Sequence, residues 1–375
     1  MGKEEMKYIL WFEDCDPDSF SLVGGKNANL GVMMQAGIRV PPGFAVTTEA
    51  YKTFILSRGI WEEIRLLLAN LDPQDIATLG ETGAAIRHLI TSAEAPKALV
   101  DEIRASYQAL SERCAMEDVP VAVRSSATAE DLPGASFAGQ QDSFLWVRGT
   151  DAVVESTLKC WASLFTDRAI SYRAKMGFPT ARVKISVGVQ KMVNARTAGI
   201  MFTVDPVTGN RSKIVIEANW GLGESIVQGM IAPDRYIVDK DTQDIQKEIG
   251  VKTRKVVPVE SGVLSPALNK AEGLSKGGTT LEVVPPGERL IPCLTREEVQ
   301  QLAELARAVE NHYGSPQDTE WAIDYDLTFP ENIFMLQSRP VTVMGPKIAD
   351  EYIKEEDKST TDHIIDLMLK KGFGR

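Results

Sequence analysis

Lys26 follows two glycines in the segment VGGKNANLG, a combination that can bind phosphate. Glycine lets the backbone approach a ligand closely, and a neighbouring lysine supplies a compact positive charge. The segment is not a Walker A loop, because Asn27 occupies the position where that motif has Ser or Thr. Considered alone, these residues are better explained as a surface turn with a solvated lysine.

A second basic residue, Arg124, lies in the apolar segment VPVAVRSSA, which has the pattern of a buried strand. An arginine at the end of such a strand either pairs with a carboxylate or presents its planar fork of donors to phosphate. The loop that follows is rich in small residues, whose backbone N–H groups can surround an anion. The loop residues that we assign to anion binding are Gly134, Ser136, Phe137, Ala138 and Gly139.

Glu320, Gln337 and Arg339 lie in the last two predicted strands, DTEWAIDYD and IFMLQSRPVTV. Residues two apart on a strand share a face, so Gln337 and Arg339 point the same way, and Glu320 can face them across a hairpin. A carboxylate and an amide oxygen suit Mg²⁺, and an arginine nearby can stabilise charge on a transferring phosphoryl group. A simple ion pair between Glu320 and Arg339 is the alternative.

The elements that must position these residues can be read from the pattern of apolar residues. Helical spacing follows the glycine pair, and Gly37 suits the end of that helix. Residues 50–115 are mostly helical in pattern, and strands separated by Gly, Asn, Asp and Pro begin at residue 183. Residues 258–295 are a Gly/Pro/Ser-rich stretch that we expect to form loops or hairpin insertions.

These elements divide the chain into two lobes and a tail. We predict a first lobe over residues 1–185, with a helical subdomain at about 50–115, and a second lobe over 186–344. Residues 345–375 begin with charged residues and continue with the spacing of a short helix, which is marginal unless it docks. The tail is therefore a predicted docking site for a partner.

Charge and cysteine content exclude several classes of protein. The net charge of −11 argues against nucleic-acid binding, which needs a basic surface. The four cysteines include no CxxC pair, so neither a disulfide scaffold nor a usual zinc site is predicted, and a reduced, cytoplasmic compartment is expected. No signal peptide and no apolar run of about 18–20 residues is visible, so we expect no contact with membranes.

The order of these features is typical of one family. The chain resembles the N-terminal nucleotide-binding part of the phosphoenolpyruvate synthase and pyruvate phosphate dikinase family from about residue 10 to residue 343. The segments that carry the resemblance are VGGKNANLG, VAVRSSATAEDLPGASFAGQQDSFL, WASLFTDRAISYR, GIMFTVDPVTGN, EANWGLGESIVQG and LQSRPVT. The resemblance implies an ATP-grasp fold of class α+β, with two lobes enclosing a nucleotide cleft, mainly antiparallel sheets and flanking helices.

The resemblance also implies ATP and Mg²⁺ as ligands and gives roles to the charged residues. Lys26 and Arg124 would hold phosphates and act in catalysis. Arg168 falls on a phosphate-contacting position, and Arg339 would stabilise the transferring group. The implied Mg²⁺ ligands are Glu320 and Gln337.

The remainder of the nucleotide would lie against two strands. Glu217 would lie by the sugar, and Asp318 would be an outer neighbour of the metal site. Asp205, in the segment TVDP, is expected to be structural. The residues whose backbone groups would read the edge of adenine are Gln190, Lys191, Met192 and Val193.

The histidines of the chain shape the predicted reaction. Family enzymes pass phosphate from ATP to a histidine in a Gly-Gly-x-x-Ser/Thr-His-Ala segment of a swivelling domain. None of His88, His312 and His363 lies in such a segment. We therefore predict that ATP is cleaved to AMP and phosphate, and that the β-phosphoryl group passes to a histidine on a partner subunit.

Three interpretations stay open. The leading one is the ATP-binding (beta) subunit of a split dikinase of the phenylphosphate synthase type, with phenol as the final acceptor. The second is the ATP-binding domain of a phosphoenolpyruvate synthase or of a rifampin-type phosphotransferase. The third is a non-catalytic nucleotide-binding regulatory protein, which the presence of Lys26, Arg124, Glu320, Gln337 and Arg339 argues against.

Overall fold

The described chain forms two compact units. The first contains the described residues up to Asn194 together with those of Val256–Glu282, and the second contains the rest from Ala195 onward. The computed structural model describes residues 7–69, 71–73, 75–127, 142–176, 183–259 and 278–341. The predicted docking tail at 345–375 lies outside these residues.

The first unit is built on one antiparallel sheet. Its strands are β1 (Ile9–Trp11), β2 (Gly43–Val46), β3 (Val121–Ala127), β4 (Ser143–Val147) and β5 (Ile185–Lys191). They lie in the order β1-β2-β5-β3-β4, so β5 is hydrogen-bonded on both sides. The boundary between the units therefore lies after residue 194 and not at the predicted 185/186, because β5 belongs to the first sheet.

Helices cover this sheet. They are α1 (Phe20–Gln35), α2 (Thr48–Ile55), α3 (Ile60–Ala69), α4 (Ile76–Ser92), α5 (Lys97–Arg113), α6 (Thr150–Ala162) and α7 (Asp167–Met176). The apolar sides of α2–α6 join Val187 and Val189 of β5 in one buried core. Trp161 is at its centre, with its ring 5.0 Å from that of Phe54.

The end of α1 follows the sequence prediction. Gly37 has φ +75 and lies just past the helix, where a left-handed conformation favours glycine. Its N–H donates to the carbonyl of Met34, and the N–H of Ile38 donates to that of Met33. These two bonds satisfy the last carbonyls of the helix and fix the direction in which the chain leaves it.

The second unit is built on a six-stranded antiparallel sheet. The strands from residue 195 onward are β6 (Ala195–Phe202), β7 (Lys213–Trp220), β8 (Asp234–Asp239), β9 (Ile245–Glu248), β10 (Arg254–Pro258), β11 (Thr279–Val283), β12 (Gln317–Asp324) and β13 (Ile333–Pro340). Most of β10 and β11 lies in Val256–Glu282 and so belongs to the first unit. The large sheet has the order β13-β12-β6-β7-β8-β9, while β10 and β11 pair only with each other. β11 therefore supplies a strand within the predicted insertion at 258–295.

Two helices accompany this sheet. α9 (Arg296–Tyr313) starts with a capping box between Thr295 and Glu298 and packs against β7 and β12. The short α8 (Glu224–Val227) packs against β6 and β7. The large antiparallel sheets and their flanking helices confirm the predicted α+β class. Among the helices that the structure describes, none combines the length and apolar character that crossing a bilayer requires.

The buried face of the second sheet contains an ion pair. Asp234 and Lys252 are both fully buried, with Lys252 Nζ 2.5 Å from Asp234 Oδ1. The same oxygen accepts the N–H of Gly250 at 3.1 Å, and Oδ2 accepts the N–H of Cys293 at 2.7 Å. Lys252 also donates to the carbonyl of Gly250 at 3.1 Å. Both charges thus have the hydrogen bonds that a buried pair needs.

Candidate functional site

Gly24 brings α1 against the end of β3. Its backbone is non-helical (φ 73, ψ 167), so α1 is interrupted there and begins again at the following residue. A Cβ at Gly24 would lie 2.4 Å from the carbonyl oxygen of Ser126, a distance that real Cβ atoms essentially never show. Only glycine fits this approach, and Lys26 is consequently placed in the first turn of the resumed helix.

Asn27 anchors the resumed helix to β5. Its side-chain amide donates to the carbonyl of Val23 at 3.0 Å and to the hydroxyl of Ser186 at 3.1 Å. A Cβ at Gly188 would lie 2.3 Å from Asn27 Oδ1, so helix and strand are in direct contact. The residue that replaces the Ser or Thr of a Walker A loop is therefore a buried structural contact.

Arg124 shares this face of the first sheet. It pairs with Gly188 across β5, and Gly188 is the residue against which Asn27 packs. Directly paired residues point to the same side of a sheet, so Arg124 and α1, with Lys26, lie on one face. Both basic side chains are partly exposed. The structure therefore brings together the two cations that the sequence assigned to phosphate.

The charge of Lys26 also acts on Cys160 of α6. Burial raises the pKa of the Cys160 thiol, Asp142 raises it further, and Lys26 opposes the rise. Asp142 is the residue at which the described chain resumes after the small-residue loop. The predicted anion-binding residues Gly134, Ser136, Phe137, Ala138 and Gly139 lie outside the described residues.

Arg168 is the second residue of α7, and its side chain is exposed. α7 packs against α4, and Arg87 of α4 donates to the carbonyl of Phe165 at 2.7 Å and to Asp167 at 3.1 Å. These contacts place Arg168 on the helical layer of the first unit. Its assignment to phosphate stays a prediction.

The segment assigned to adenine lies at the end of β5. Gln190 is buried within the sheet, paired with Gly43 of β2 and Ala122 of β3. The N–H of Lys191 donates to the carbonyl of Pro42 at 2.9 Å, and that of Met192 donates to the carbonyl of Pro120 at 2.8 Å. Neither N–H is open to a ligand. Backbone recognition at this segment must therefore use other groups, and Val193 follows it as a buried side chain.

In the second unit, β12 and β13 form the predicted hairpin. Glu320 pairs directly with Gln337, and Asp318 pairs with Arg339. A register shift after Glu320 marks a bulge at this point. A carboxylate and an amide are thus adjacent on one face of the sheet, as the sequence pattern indicated.

The register extends this pair across the whole sheet. Glu320 also pairs with Ile200 of β6, which pairs with Glu217 of β7, and Glu217 pairs with Arg235 of β8. We call this line of residues the polar row; its members are Gln337, Glu320, Ile200, Glu217, Arg235 and Glu248. All of them point to the face opposite the buried one, because directly paired residues share a face.

Arg339 lies against Asp318. Its Nε and Nη2 are 2.9 and 2.8 Å from Asp318 Oδ2. Burial raises the pKa of Asp318, Arg339 opposes the rise, and the nearby Glu320 adds to it. Asp318 thus holds Arg339 on the face that carries Glu320. Its place as an outer neighbour of a metal site stays a prediction.

Asp205 has the structural role that the sequence suggested. Its Oδ1 accepts the N–H of Val207 at 2.9 Å and lies 3.4 Å from that of Thr208. Burial raises the pKa of this carboxyl, but the hydrogen bonds from Thr208 and Val207, helped by Arg235, lower it below its ordinary value. These contacts close the turn that follows β6.

Arg235 was not predicted from the sequence. Nothing in the local segment DRYIVDK marks it, since its place beside Glu217 follows only from the pairing of β7 with β8. An alternation of inward and outward residues on β8 would have assigned it to the exposed face, but not to a particular neighbour.

The pair Glu320 and Gln337 fits a Mg²⁺ ion. Both offer hard oxygen donors, and Mg²⁺ usually keeps several waters while it is held by one or two carboxylates and substrate phosphates. Within the described ranges, no group of three or more His, Cys, Asp or Glu side chains could hold a metal. The donor set therefore suits an ion that is shared with a phosphate ligand, and not one enclosed by the protein.

Comparison with known families identifies one match over most of the chain. The family described as "Pyruvate phosphate dikinase, AMP/ATP-binding domain" matches residues 20–360. This range includes every residue that the sequence assigned to the site in both units.

Several curated proteins are similar over nearly the whole chain. A probable phosphoenolpyruvate synthase of Staphylothermus marinus is 46% identical over 98% of this chain and 45% of its own length. One of Methanothermobacter thermautotrophicus is 43% identical over 100% of this chain and 50% of its own length. The phosphoenolpyruvate synthase of Pyrococcus furiosus is 40% identical over 98% and 47%. The chain thus spans about half the length of these relatives.

Among solved structures, D-alanyl-alanine synthetase A from Vibrio cholerae is aligned over 78% of this chain and 64% of its own. The sequence identity is 10% and the TM-score is 0.27, which is too low to support an argument.

Proposed function

Because the chain belongs to the family of the pyruvate phosphate dikinase AMP/ATP-binding domain, we propose that it binds Mg²⁺-ATP and delivers a phosphoryl group to a histidine outside these 375 residues. The observation that carries the proposal is the hairpin of β12 and β13, which aligns Glu320 with Gln337 and sets Arg339 beside Asp318. That arrangement provides metal ligands and a cation on one face.

In this proposal the first unit supplies cations for the phosphates of the nucleotide. Lys26 and Arg124 hold phosphates, because both are cations on the face of the first sheet that α1 approaches. The small-residue loop and Arg168 add donors, and Gln190, Lys191, Met192 and Val193 face adenine.

The polar row would set the orientation of the bound nucleotide on the second sheet. Glu320 and Gln337 hold Mg²⁺ and thereby the phosphates, and Glu217 accepts the ribose hydroxyls. Glu320 and Glu217 are two strands apart, roughly 10 Å, which an extended triphosphate can span. Bound Mg²⁺ neutralises phosphate charge, and Arg339 stabilises the charge that develops on the transferring group.

The reaction that we propose consumes ATP and water and leaves AMP, phosphate and phosphohistidine. The histidine takes the β-phosphoryl group as its bond to AMP breaks, and water takes the γ-phosphoryl group as its bond to the β-phosphoryl group breaks. His88 and His312 are exposed on α4 and α9, and neither lies in the segment that family enzymes phosphorylate. The receiving histidine therefore belongs to another domain, either in a longer form of the protein or on a partner subunit.

The final acceptor is a separate part of the proposal. The names of the relatives support pyruvate, as in phosphoenolpyruvate synthase. Phenol, the acceptor expected from the resemblance to phenylphosphate synthase, gains no support from these relatives and is the alternative that the same experiment tests.

The test follows the fate of ATP labelled in the β-phosphoryl group. The chain is incubated with Mg²⁺-ATP, alone and with the phosphohistidine-bearing partner purified from the same cells, which brings its own acceptor site. We expect AMP and labelled histidine only in the mixture, followed by transfer to added pyruvate and not to phenol. ADP as the product would overturn the mechanism, and binding without any product would favour the regulatory interpretation.

Two variants sharpen this test. Arg339→Gln should lower AMP formation by roughly 10²–10³-fold while nucleotide still binds, because the lost donors act on the transferring group. Arg296→Gln is the matched control, since Arg296 is an exposed arginine on α9. Normal AMP formation by Arg339→Gln would contradict the assigned role. In calorimetry, Glu320→Ala should weaken the Mg²⁺ dependence of ATP binding.

A further inference from the structure

Glu217 is a partly buried carboxylate on β7 of the second sheet. Its side chain lies in the polar row between Ile200 and Arg235. Among the residues that the structure describes, none donates a hydrogen bond to this carboxylate. Burial raises its pKa, and Arg235 opposes that rise. A carboxylate accepts up to four hydrogen bonds, so Glu217 has capacity for donors from a ligand.

The guanidinium of Arg235 lies near two carboxylates but forms no hydrogen bond with either of them. Its Nη2 is 4.0 Å from Asp205 Oδ1, and its Nη1 is 3.9 Å from Glu248 Oε2. Both distances are too long for hydrogen bonds. Asp205 is already occupied by the amides of its own turn. The guanidinium is therefore available to act on Glu217, its direct cross-strand neighbour.

We propose that Arg235 is a positioning residue whose charge keeps Glu217 ionised, so that Glu217 accepts the ribose hydroxyls of the bound nucleotide. The inference rests on the proposed function, in which Glu217 faces the sugar. A charged acceptor binds a hydroxyl donor more strongly than a neutral one does. Arg235 would thus favour ribonucleotides over deoxyribonucleotides without necessarily touching the ligand.

Other charged residues surround Glu217 and Arg235 and contribute to the electrostatic potential at the Glu217 carboxylate. Glu248 lies beyond Arg235 on β9, and Asp205 lies beside it in the turn after β6. On the other side, Glu320 is two strands away, and α8, which packs on β6 and β7, contributes Glu224. All four are acidic, and Arg235 is the charge that opposes the raised pKa of Glu217.

The experiment compares ATP with 2′-deoxy-ATP. Binding of each to the full chain is measured with Mg²⁺ by calorimetry between pH 5 and 8, and the ratio of their dissociation constants is taken at each pH. The phosphates titrate alike in both ligands, so the ratio isolates the sugar contact. The variants are Arg235→Met, Arg235→Lys and Glu217→Gln.

The matched control is Lys247→Met. Lys247 is a cation on the adjacent strand β9, but it pairs with Tyr236 and therefore points to the other face. The control removes one positive charge from the same part of the sheet without changing the polar row. It should leave the ratio as it is in the unaltered protein.

We expect the unaltered protein to prefer ATP about tenfold or more near neutral pH, as for a hydrogen bond to a charged acceptor. The preference should fall as the pH drops through the pKa of Glu217. In Arg235→Met it should be reduced and should fall at a higher pH, because the carboxyl loses the cation that lowers its pKa. Arg235→Lys should restore most of the preference, and Glu217→Gln should abolish its pH dependence.

Two results would overturn the inference in distinguishable ways. If Arg235→Met binds both ligands with an unchanged ratio and pH profile, Arg235 does not position Glu217, and the proposed function is untouched. If the unaltered protein binds neither nucleotide in the presence of Mg²⁺, the proposed function fails and the inference fails with it. A merely structural role would weaken binding of both nucleotides equally, which also contradicts the proposal.

Discussion

β8 carries two charged residues in succession, and they point to opposite faces of the second sheet. Asp234 is fully buried with Lys252, and its oxygens also accept the N–H groups of Gly250 and Cys293. Arg235, the next residue, is partly exposed, and its nearest carboxylates are 3.9 and 4.0 Å away. The pair of Asp234 and Lys252 has its hydrogen bonds complete in the folded protein, while the pair of Glu217 and Arg235 has unused hydrogen-bonding capacity.

The difference separates stabilising charges from binding charges. A buried pair is tolerated only if its hydrogen bonds are complete, so Asp234 and Lys252 have nothing to offer a ligand. Glu217 and Arg235 carry charge on the other face, where the Glu217 carboxylate has no donor among the described residues. An incompletely bonded charge on a partly buried surface is thus the more informative sign of a site.

The largest expected effect comes from breaking the complete pair. Lys252→Met should lower the free energy of unfolding by about 3–5 kcal/mol, because Asp234 keeps its charge in the core without a cation. Urea unfolding followed by tryptophan fluorescence measures the change. The double variant Asp234→Asn with Lys252→Met should recover part of the loss, since asparagine carries no charge and its one amide oxygen still accepts from either Gly250 or Cys293. Equal losses in the single and double variants would contradict this explanation.

A smaller effect is expected at Asp205, a carboxylate that is also near Arg235 but is already hydrogen-bonded in its turn. Asp205→Ala should cost about 1 kcal/mol of stability, as for the loss of a capping side chain. Asp205→Asn keeps the acceptor and should cost less. Nucleotide affinity should be nearly unchanged in both variants, and a large loss of ATP binding would show that Asp205 belongs to the site.

Glu217→Gln should change stability in the opposite direction. A carboxyl whose pKa is raised by folding destabilises the folded state when ionised, so its removal should stabilise the protein near neutral pH. The gain should be less than about 1 kcal/mol, because water screens a half-buried carboxyl. The gain should be present above the folded pKa of Glu217 and should disappear as the pH falls below its unfolded value of about 4.3. Thermal unfolding at several pH values tests the sign, and a loss of stability at neutral pH would contradict it.

The smallest effect is expected for Arg235→Met. Its carboxylate partners are beyond hydrogen-bonding distance, so stability should change by no more than about 0.5 kcal/mol. Lys252→Met is the matched comparison, because it removes a cation from the same unit by the same kind of substitution. If both variants lose similar stability in urea, the distinction between a complete and an incomplete pair does not hold.

The local pattern of polar and apolar residues was sufficient to predict those parts of the fold and of the candidate site whose residues are close together in the sequence. The alternation of polar and apolar residues placed Glu320 opposite Gln337, because the two strands form a hairpin and the period of two sets the face. Gly37 marked the end of α1, since its left-handed φ is easily adopted only by glycine.

Features that depend on distant pairing were not accessible from the sequence. In the sequence, β5 resembles the strands that follow it, which belong to the second unit. In the structure it lies between β2 and β3 of the first sheet, so the boundary between the two units was predicted too early in the chain. The N–H groups of Lys191 and Met192 are taken by the carbonyls of Pro42 and Pro120, which local pattern could not reveal. Arg235 was missed for the same reason, because a segment containing α8 separates β7 from β8.

The opposite orientation of Asp234 and Arg235 limits how β8 can change in evolution. Inserting or deleting one residue within Asp234–Asp239 would exchange the two faces of the strand. Arg235 would then be buried, and the carboxylate of Asp234 would be exposed. Substitution is therefore the tolerated route of change inside this strand. Differences in length among relatives are expected in the turn at 229–233, where an added residue leaves the alternation of the strand intact.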